Sequence, residues 1–154
     1  MPINGQIVLN GDGFLETAWG QLSAEDVISF LDGILASPPV PDPYFVLLDY
    51  SKVKDITGSI TEVRAVVQRS EQLKKQTKRR CVLAVIATRP VVYGLSRMWQ
   101  VLAEFKTGWY INVFRDRDEA LAWLQHEVQL RHQVTLPPPA EWLPPEAEQA
   151  SPLP

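Results

Sequence analysis

The stretch that decides the fold spans residues 80–124 and reads RRCVLAVIATRPVVYGLSRMWQVLAEFKTGWYINVFRDRDEALAWL. Residues 81–87 form a continuous apolar run of strand length. A strand that is apolar on both faces is buried on both faces, as in a parallel sheet covered by helices. Residues 109–114 form a second short strand. Because a helix separates the two strands, the stretch predicts an α/β fold with a largely parallel sheet.

The segment between these two strands has the periodicity of a helix. Pro90 suits the first helical turn, and Gly108 suits the position just after the last one. Apolar side chains recur at intervals of three and four residues, which predicts that they face the core. These residues are Val91, Leu95, Met98, Leu102 and Phe105.

Capping residues predict where three other helices begin. Ser59 and Glu62 form a capping box, Asp116 and Glu119 form a similar pair, and Ser23 caps the first helix of the chain. Ser23, Ser59 and Asp116 each stand directly before an amphipathic run, so each marks a helix N-terminus.

The remaining strands complete the order of elements. Strands at 3–9 and 14–19 flank an Asn-Gly-Asp-Gly turn, which is a strong hairpin signal. A strand at 44–48 ends at Asp49 and leads into a polar loop at 50–58. The predicted order is β-β-α-β-α-β-α-β-α, a single α/β domain with a mixed, mostly parallel five-stranded sheet and about four flanking helices.

The composition is that of a globular protein with a core, since 45% of the residues are hydrophobic and 21% are charged. The net charge of −3 argues against nucleic-acid binding. The single cysteine, Cys81, lies in a predicted buried strand and fits a reducing compartment. No secretory signal and no bilayer-spanning apolar run is seen, so we expect no transmembrane segment and a cytoplasmic location.

The chain after the last predicted helix is rich in proline. Seven prolines fall within the last 18 residues, and neither helix nor strand persists through them. We expect an α/β domain at 1–132 and a Pro-rich disordered tail at 133–154. Two interpretations of Trp142 and Leu143 stay open: they dock onto the domain or onto a partner that reads proline-rich peptides, or they belong to an inert tail.

The end of the predicted strand at 44–48 carries a family resemblance. Residues 49–53 (DYSKV), followed by Asp55 and by Thr57-Gly58, resemble the D-L-S-x-V … D-S-S-G loop of STAS domains. STAS domains occur in anti-sigma-factor antagonists and in the cytoplasmic part of sulfate transporters.

The second half of the chain adds to this resemblance. Residues 92–98 (VYGLSRM), 113–116 (VFRD) and 119–124 (EALAWL) are similar to an uncharacterised bacterial branch of that family, the SpoIIAA-like proteins. The similarity covers roughly residues 3–130.

The resemblance implies a mixed sheet flanked by helices, no cofactor, no catalysis and work through protein-protein contact in signalling. In the antagonists a Ser directly before the Gly is phosphorylated by a partner kinase. Here Thr57 holds that place before Gly58, and Ile56 replaces the first Ser. The implied partner is a protein, such as a kinase-type or sigma-pathway regulator. Related folds also bind lipids or other apolar ligands.

The residues themselves offer no arrangement that is typical of catalysis or of a metal site. His126 and His132 are six residues apart without a third ligand at suitable spacing. Asp49 and Asp55 flank a predicted loop, where aspartates commonly bond their own backbone.

Parallel strands predict a functional surface at their carboxyl ends. Arg97 has two interpretations: it belongs to this surface, or it pairs with a neighbouring carboxylate such as Glu104 or Asp116. Thr88 and Arg115 are expected at the same edge. The predicted interaction and regulatory residues are Asp49, Ser51, Asp55, Thr57, Ser59, Arg89, Tyr93 and Arg97.

Two functions from different classes follow, with a small enzyme as a third. The leading one is a non-enzymatic regulatory or protein-protein interaction module, which predicts a filled core and an exposed polar loop at 50–59. The alternative is a carrier or sensor of a small apolar or lipid-like ligand, which predicts an apolar cavity beside the helix at 91–105. The tryptophans at 19, 99, 109 and 123 fit the core or its rim better than a ligand cage.

Overall fold

A computed structural model describes residues 2–144. Nine strands and helices follow one another in the predicted order, with short 3₁₀ turns at Leu9–Gly11 and Pro139–Glu141. The elements are β1 (Ile3–Val8), β2 (Gly13–Ser23), α1 (Ala24–Leu35), β3 (Phe45–Thr57), α2 (Ile60–Lys75), β4 (Val82–Ile86), α3 (Pro90–Thr107), β5 (Tyr110–Phe114) and α4 (Arg117–His132).

One mixed sheet contains all five strands in the order β1-β2-β3-β4-β5. β1 pairs with β2 in an antiparallel manner, and the other three pairs are parallel. β4 is buried at every position and lies inside the sheet, next to the edge strand β5. The predicted mixed, mostly parallel sheet and its apolar interior strand are therefore confirmed.

Helices cover both faces of the sheet. α1, α2 and α3 lie side by side on one face, and α4 covers the other. The predicted N-caps are present: Ser59 and Glu62 form a reciprocal capping box at α2, and the Asp116 side chain accepts a hydrogen bond from the backbone N–H of Glu119 at α4. Within residues 2–144, none of the helices is long and apolar enough to cross a bilayer.

The segment after Asp49 is a strand, which corrects the predicted polar loop at 50–58. β3 continues to Thr57 because β2 continues to Ser23, and the two strands stay paired in parallel over this length despite two register irregularities. Burial of Tyr50 and Val53 against the helices holds the extension in place. The outer part of β3 thus belongs to the sheet.

The face that α3 turns to the sheet differs from the predicted one. Val91, Met98 and Phe105 were expected in the core, yet they are 45%, 41% and 85% exposed. The physical reason is that small or hydrogen-bonded residues face the sheet and let the helix approach it closely. The buried positions of α3 are Val92, Ser96, Gln100, Ala103 and Thr107.

The chain packs against the domain beyond α4. Leu136 and Trp142 are 7% and 5% exposed and belong to the core on the α4 side of the sheet. The Trp142 ring lies 4.9 Å from the Phe45 ring in an edge-on arrangement, and its Nε1 donates to the Pro137 carbonyl at 3.0 Å. Burial of these apolar side chains offsets the entropy of ordering the segment, so residues 134–144 form part of the folded unit. The rest of the predicted tail, 145–154, lies outside the described residues.

Docking of Trp142 yields a stability prediction. Trp142→Ala should lower the free energy of unfolding by about 3 kcal/mol, since large-to-small substitution in a core removes burial and leaves a cavity. The measurement is urea unfolding followed by circular dichroism. Glu141→Ala, at an exposed neighbour, is the control and should have little effect. Equal stability of the two variants would contradict the docking.

Candidate functional site

An apolar cavity of about 170 Å³ lies between the sheet and the layer formed by α1, α2 and α3. Its floor is the sheet face that carries Leu48 and Val85, and its roof and walls come from the three helices. The lining therefore includes the helix predicted to border a ligand pocket, α3. Helix residues that line the cavity include Val27, Val66, Leu95 and Trp99.

A carboxyl group is buried on the wall of this cavity. Glu16 of β2 is 5% exposed and lies on the same face of the sheet as its register partner Leu48. The hydroxyl of Tyr50, two residues further along β3, donates to Glu16 Oε2 at 2.6 Å. Glu16 Oε1 accepts no hydrogen bond from residues 2–144.

Burial perturbs both members of this pair. Loss of hydration raises the pKa of the Glu16 carboxyl from 4.5 to about 7, although the hydrogen bond from Tyr50 works in the opposite direction. Burial also raises the pKa of the Tyr50 hydroxyl well above 10.0, and the charge and hydrogen bond of Glu16 add to this effect. The Glu16 carboxyl therefore titrates near neutral pH while Tyr50 stays protonated and continues to donate.

Two indole groups on the lining lack hydrogen-bond partners. Trp99 and Trp109 both line the cavity. The Nε1 atom of each is buried, and no acceptor for it is found among residues 2–144. A buried N–H without an acceptor costs free energy, and such groups are uncommon in folded proteins. Two of the residues that line the cavity thus carry buried N–H groups without an acceptor.

The ends of the cavity are more polar than its centre. Thr57 and Gly58, which are exposed, are part of the lining at the end near the start of α2. Asp42 and Arg79 lie at the other end, where the Asp42 carboxylate accepts hydrogen bonds at 3.0 Å from the backbone N–H groups of Lys78 and Arg79. A ligand can therefore reach the apolar interior from the surface.

The predicted surface residues separate into several groups, of which the first surrounds Asp49. Its carboxylate accepts hydrogen bonds from the backbone N–H and hydroxyl of Ser51, at 3.0 and 2.6 Å. Arg117 Nη1 of α4 donates to Asp49 Oδ2 at 2.7 Å. Thr88 makes a long hydrogen bond of 3.4 Å to the Ser51 carbonyl. Both carboxylate oxygens of Asp49 thus have partners, and its ion pair with Arg117 lies on the α4 side of the sheet.

The second group lies at the far end of β3. Asp55, Thr57 and Ser59 are all exposed. Asp55 accepts a hydrogen bond at 2.9 Å from the next backbone N–H, and Ser59 is the N-cap of α2. Because a strand rises about 3.3 Å per residue, Asp49 and Thr57 are about 25 Å apart. The two ends of the predicted loop therefore do not form one cluster.

The third group lies at α3. Arg97 Nη1 donates to Gln100 Oε1 at 2.9 Å, so its partner is neither Glu104 nor Asp116. Arg115 lies over the Tyr93 ring with its guanidinium carbon 4.4 Å from the ring centre. The Arg89 side chain is exposed and makes no hydrogen bond or ion pair within residues 2–144.

Metal-binding side chains are not clustered in residues 2–144, where no group of three or more His, Cys, Asp or Glu is close enough to hold an ion. His132 Nε2 lies 2.8 Å from the Arg80 carbonyl, and His126 is exposed. Burial raises the pKa of the Cys81 thiol to about 12, which keeps it protonated and unreactive.

Glu16 was not among the predicted site residues. In the sequence Glu16 is a carboxylate inside the apolar strand segment Phe14-Leu-Glu-Thr-Ala-Trp19. The order of polar and apolar residues in this segment does not show on which face of the sheet Glu16 lies. The contact with Tyr50 bridges 34 positions of the chain, and no local pattern reports such a distance.

Solved structures similar to this chain include the following two proteins. One is an uncharacterised protein from Shewanella loihica PV-4, described as a DUF3478 family member with a SpoIIAA-like fold; the identity is 22%, the match covers 79% of this chain and 93% of that chain, and the TM-score is 0.48. The other is the anti-sigma factor antagonist SpoIIAA in its unphosphorylated form, with 12% identity, 79% and 96% coverage and a TM-score of 0.43.

No family model matches the chain, and no match is found among curated proteins. The resemblance to SpoIIAA-like proteins stated from the sequence is thus found again among solved structures. Neither likeness is close enough to carry over a function, because one fold supports many functions.

The raised pKa of Glu16 predicts how stability depends on pH. Between pH 4.5 and about 7 Glu16 binds more protons in the folded state than in the unfolded state, so the contribution of Glu16 to stability falls as pH rises through this interval and is constant above it. The loss attributable to Glu16 is about 3 kcal/mol at most, from about 1.4 kcal/mol per pKa unit. Glu16→Gln should remove this dependence and be the more stable protein at pH 8.

Urea unfolding of both proteins at pH 5 and pH 8 measures this difference. Glu71→Gln, on α2 and outside the cavity, is the charge-matched control and should keep the wild-type pH dependence. The same pH dependence in wild type and Glu16→Gln would show that Glu16 ionises normally in the folded protein.

Proposed function

We propose that the chain is a binding protein that holds a small, largely apolar ligand between its sheet and helices α1, α2 and α3, as a carrier or a sensor. The observation that carries this proposal is the apolar cavity of about 170 Å³, which has α3 on its wall and polar residues at its ends. Ligand sites are commonly concave, mostly apolar and provided with a few polar groups.

The cavity is larger than an ordinary packing irregularity, and this size supports its interpretation as a ligand site. Protein interiors are close-packed, with few voids larger than a water molecule. An apolar cavity of about 150 Å³ is large enough to bind benzene. The cavity of this protein therefore suits a molecule of one or two rings, or a short hydrocarbon chain.

Filling the cavity with a side chain should abolish ligand binding. Val66→Phe adds a ring on the cavity wall, so it should prevent uptake of the apolar probe naphthalene without unfolding the protein. Val101→Phe is the matched control, since Val101 is 63% exposed on the outside of α3. Isothermal titration calorimetry measures both affinities, and thermal melting shows whether each variant is folded. Absence of naphthalene binding by the wild type would contradict the proposal.

A regulatory or interaction module is the second candidate, and one observation favours it. The Thr57 side chain is exposed and makes no hydrogen bond within residues 2–144, and it lies two residues before Ser59, the N-cap of α2. A phosphate at Thr57 would lie close to the free N–H groups of that helix. Thr57 also lines one end of the cavity, so the same modification would change access to a ligand.

The remaining predicted residues have a place in this second candidate. The protein partner, of the kinase or sigma-pathway type, would contact the exposed side chains at the end of β3 together with Arg89, Tyr93 and Arg97. Non-enzymatic action, the absence of a cofactor and a cytoplasmic location stay predictions.

The second candidate is tested at Thr57. Intact-protein mass spectrometry of material from native cells should show a species heavier by one phosphate, and phosphatase treatment should remove it. Thr57→Glu should change the set of proteins that co-purify with the chain. Thr61→Glu, which puts the same charge at an exposed position of α2, is the control. An unmodified mass together with identical co-purifying proteins would exclude Thr57 as a switch.

A further inference from the structure

The cavity contains more hydrogen-bonding capacity than an apolar ligand requires. The Glu16 side chain lies on the sheet face that α1, α2 and α3 cover, where its neighbours in the register are apolar. A hydrophobic residue at this position would avoid the cost of burying a carboxyl group. The position of Glu16 therefore calls for an explanation other than stability.

The hydrogen bonds of the described residues do not satisfy this group. The Tyr50 hydroxyl donates to Glu16 Oε2 alone, so Oε1 has no hydrogen-bond partner in the described part of the chain. Because Glu16 lines the cavity, it offers one acceptor oxygen to whatever occupies the space.

We propose that the ligand is a small neutral alcohol or phenol, whose hydroxyl group donates a hydrogen bond to Glu16 while its hydrocarbon part fills the cavity. This inference rests on the proposed carrier or sensor function and specifies its ligand class. A hydroxyl is a small neutral group with one O–H donor, so it can donate to Glu16 Oε1 without bringing a second charge into the apolar cavity.

Other ligand classes fit less well. A pure hydrocarbon would shield Glu16 Oε1 from water without giving it a hydrogen bond, and this costs free energy. A carboxylate would be repelled by the ionised form of Glu16. An ammonium group could pair with Glu16 but would have to give up its hydration in an apolar cavity.

Three probes of similar size separate these classes: naphthalene, 2-naphthol and 2-naphthoate. Titration calorimetry at pH 7.5 with the full chain should give an affinity for 2-naphthol at least about tenfold higher than for naphthalene, the factor that one net hydrogen bond supplies. 2-Naphthoate should bind most weakly of the three. Glu71→Gln should leave all three affinities unchanged, because Glu71 does not line the cavity.

Variants at Glu16 assign the preference to this residue. Glu16→Leu should bring the ratio of 2-naphthol to naphthalene affinity close to one. Glu16→Gln is a second variant of nearly the same shape, whose amide can still accept from a hydroxyl. It should keep the preference for 2-naphthol and should bind 2-naphthoate more tightly than the wild type does, since the repelling charge is gone.

The outcomes distinguish this inference from the function on which it rests. If naphthalene binds and 2-naphthol binds no more tightly, the hydroxyl class is overturned and the apolar binding function stands. Tighter binding of 2-naphthoate than of 2-naphthol by the wild type also overturns it. If none of the three probes binds, both proposals fail.

Discussion

The cavity, the buried carboxyl group and the exposed end of β3 all depend on the parallel pairing of β2 with β3. The register begins at Gly13 opposite Phe45, where a side chain larger than glycine would overlap the Phe45 ring. This start sets Glu16 opposite Leu48 and brings the Tyr50 hydroxyl within 2.6 Å of the carboxylate. A slip by one residue would turn Glu16 to the α4 side, because side chains alternate between the two faces of a sheet. The ladder also extends beyond its neighbours β1 and β4, and a two-stranded ladder is marginally stable alone. Its outer part therefore depends on α1 and α2, which form part of the roof of the cavity.

α3 shows how one buried amide can set the orientation of a helix. The Gln100 side chain donates to the Ile111 carbonyl at 2.7 Å and to Glu104 at 2.9 Å, and it accepts from Arg97. Turning the apolar stripe of α3 toward the sheet would break these bonds and would replace Ala103 by bulkier side chains at the closest approach. The helix instead directs Gln100 inward and leaves a row of apolar side chains exposed. Trp99, at the boundary between the two faces, becomes part of the cavity lining.

Features of the fold that depend on neighbouring residues were predicted from the sequence, whereas features that depend on residues far apart in the chain were not. The order of elements, the interior strand and the helix caps are encoded within a few residues each, and these predictions were confirmed. The extension of β3 depends on pairing with β2, which is distant in the chain, and the polar residues at 50–58 suggested a loop. The packing of Trp142 on Phe45 joins residues almost a hundred positions apart, so proline content alone pointed to an unfolded tail. For the site, the sequence indicated a pocket beside α3 but not Glu16, since burial of a carboxyl group depends on both strands and all three helices at once.

The distribution of destabilising features argues that the cavity is a site. An apolar cavity of 170 Å³ costs stability, because the side chains that line it forgo the packing contacts of a filled core. The raised pKa of Glu16 adds to this cost above neutral pH. The buried side-chain polar atoms without a partner within residues 2–144 are the two indole nitrogens, and both residues line the same cavity. Randomly placed packing defects would be scattered over both faces of the sheet, whereas these coincide on one. A single occupant with an apolar body and one hydroxyl group would fill the cavity and pair with Glu16, and its binding free energy would appear directly as stability of the folded chain.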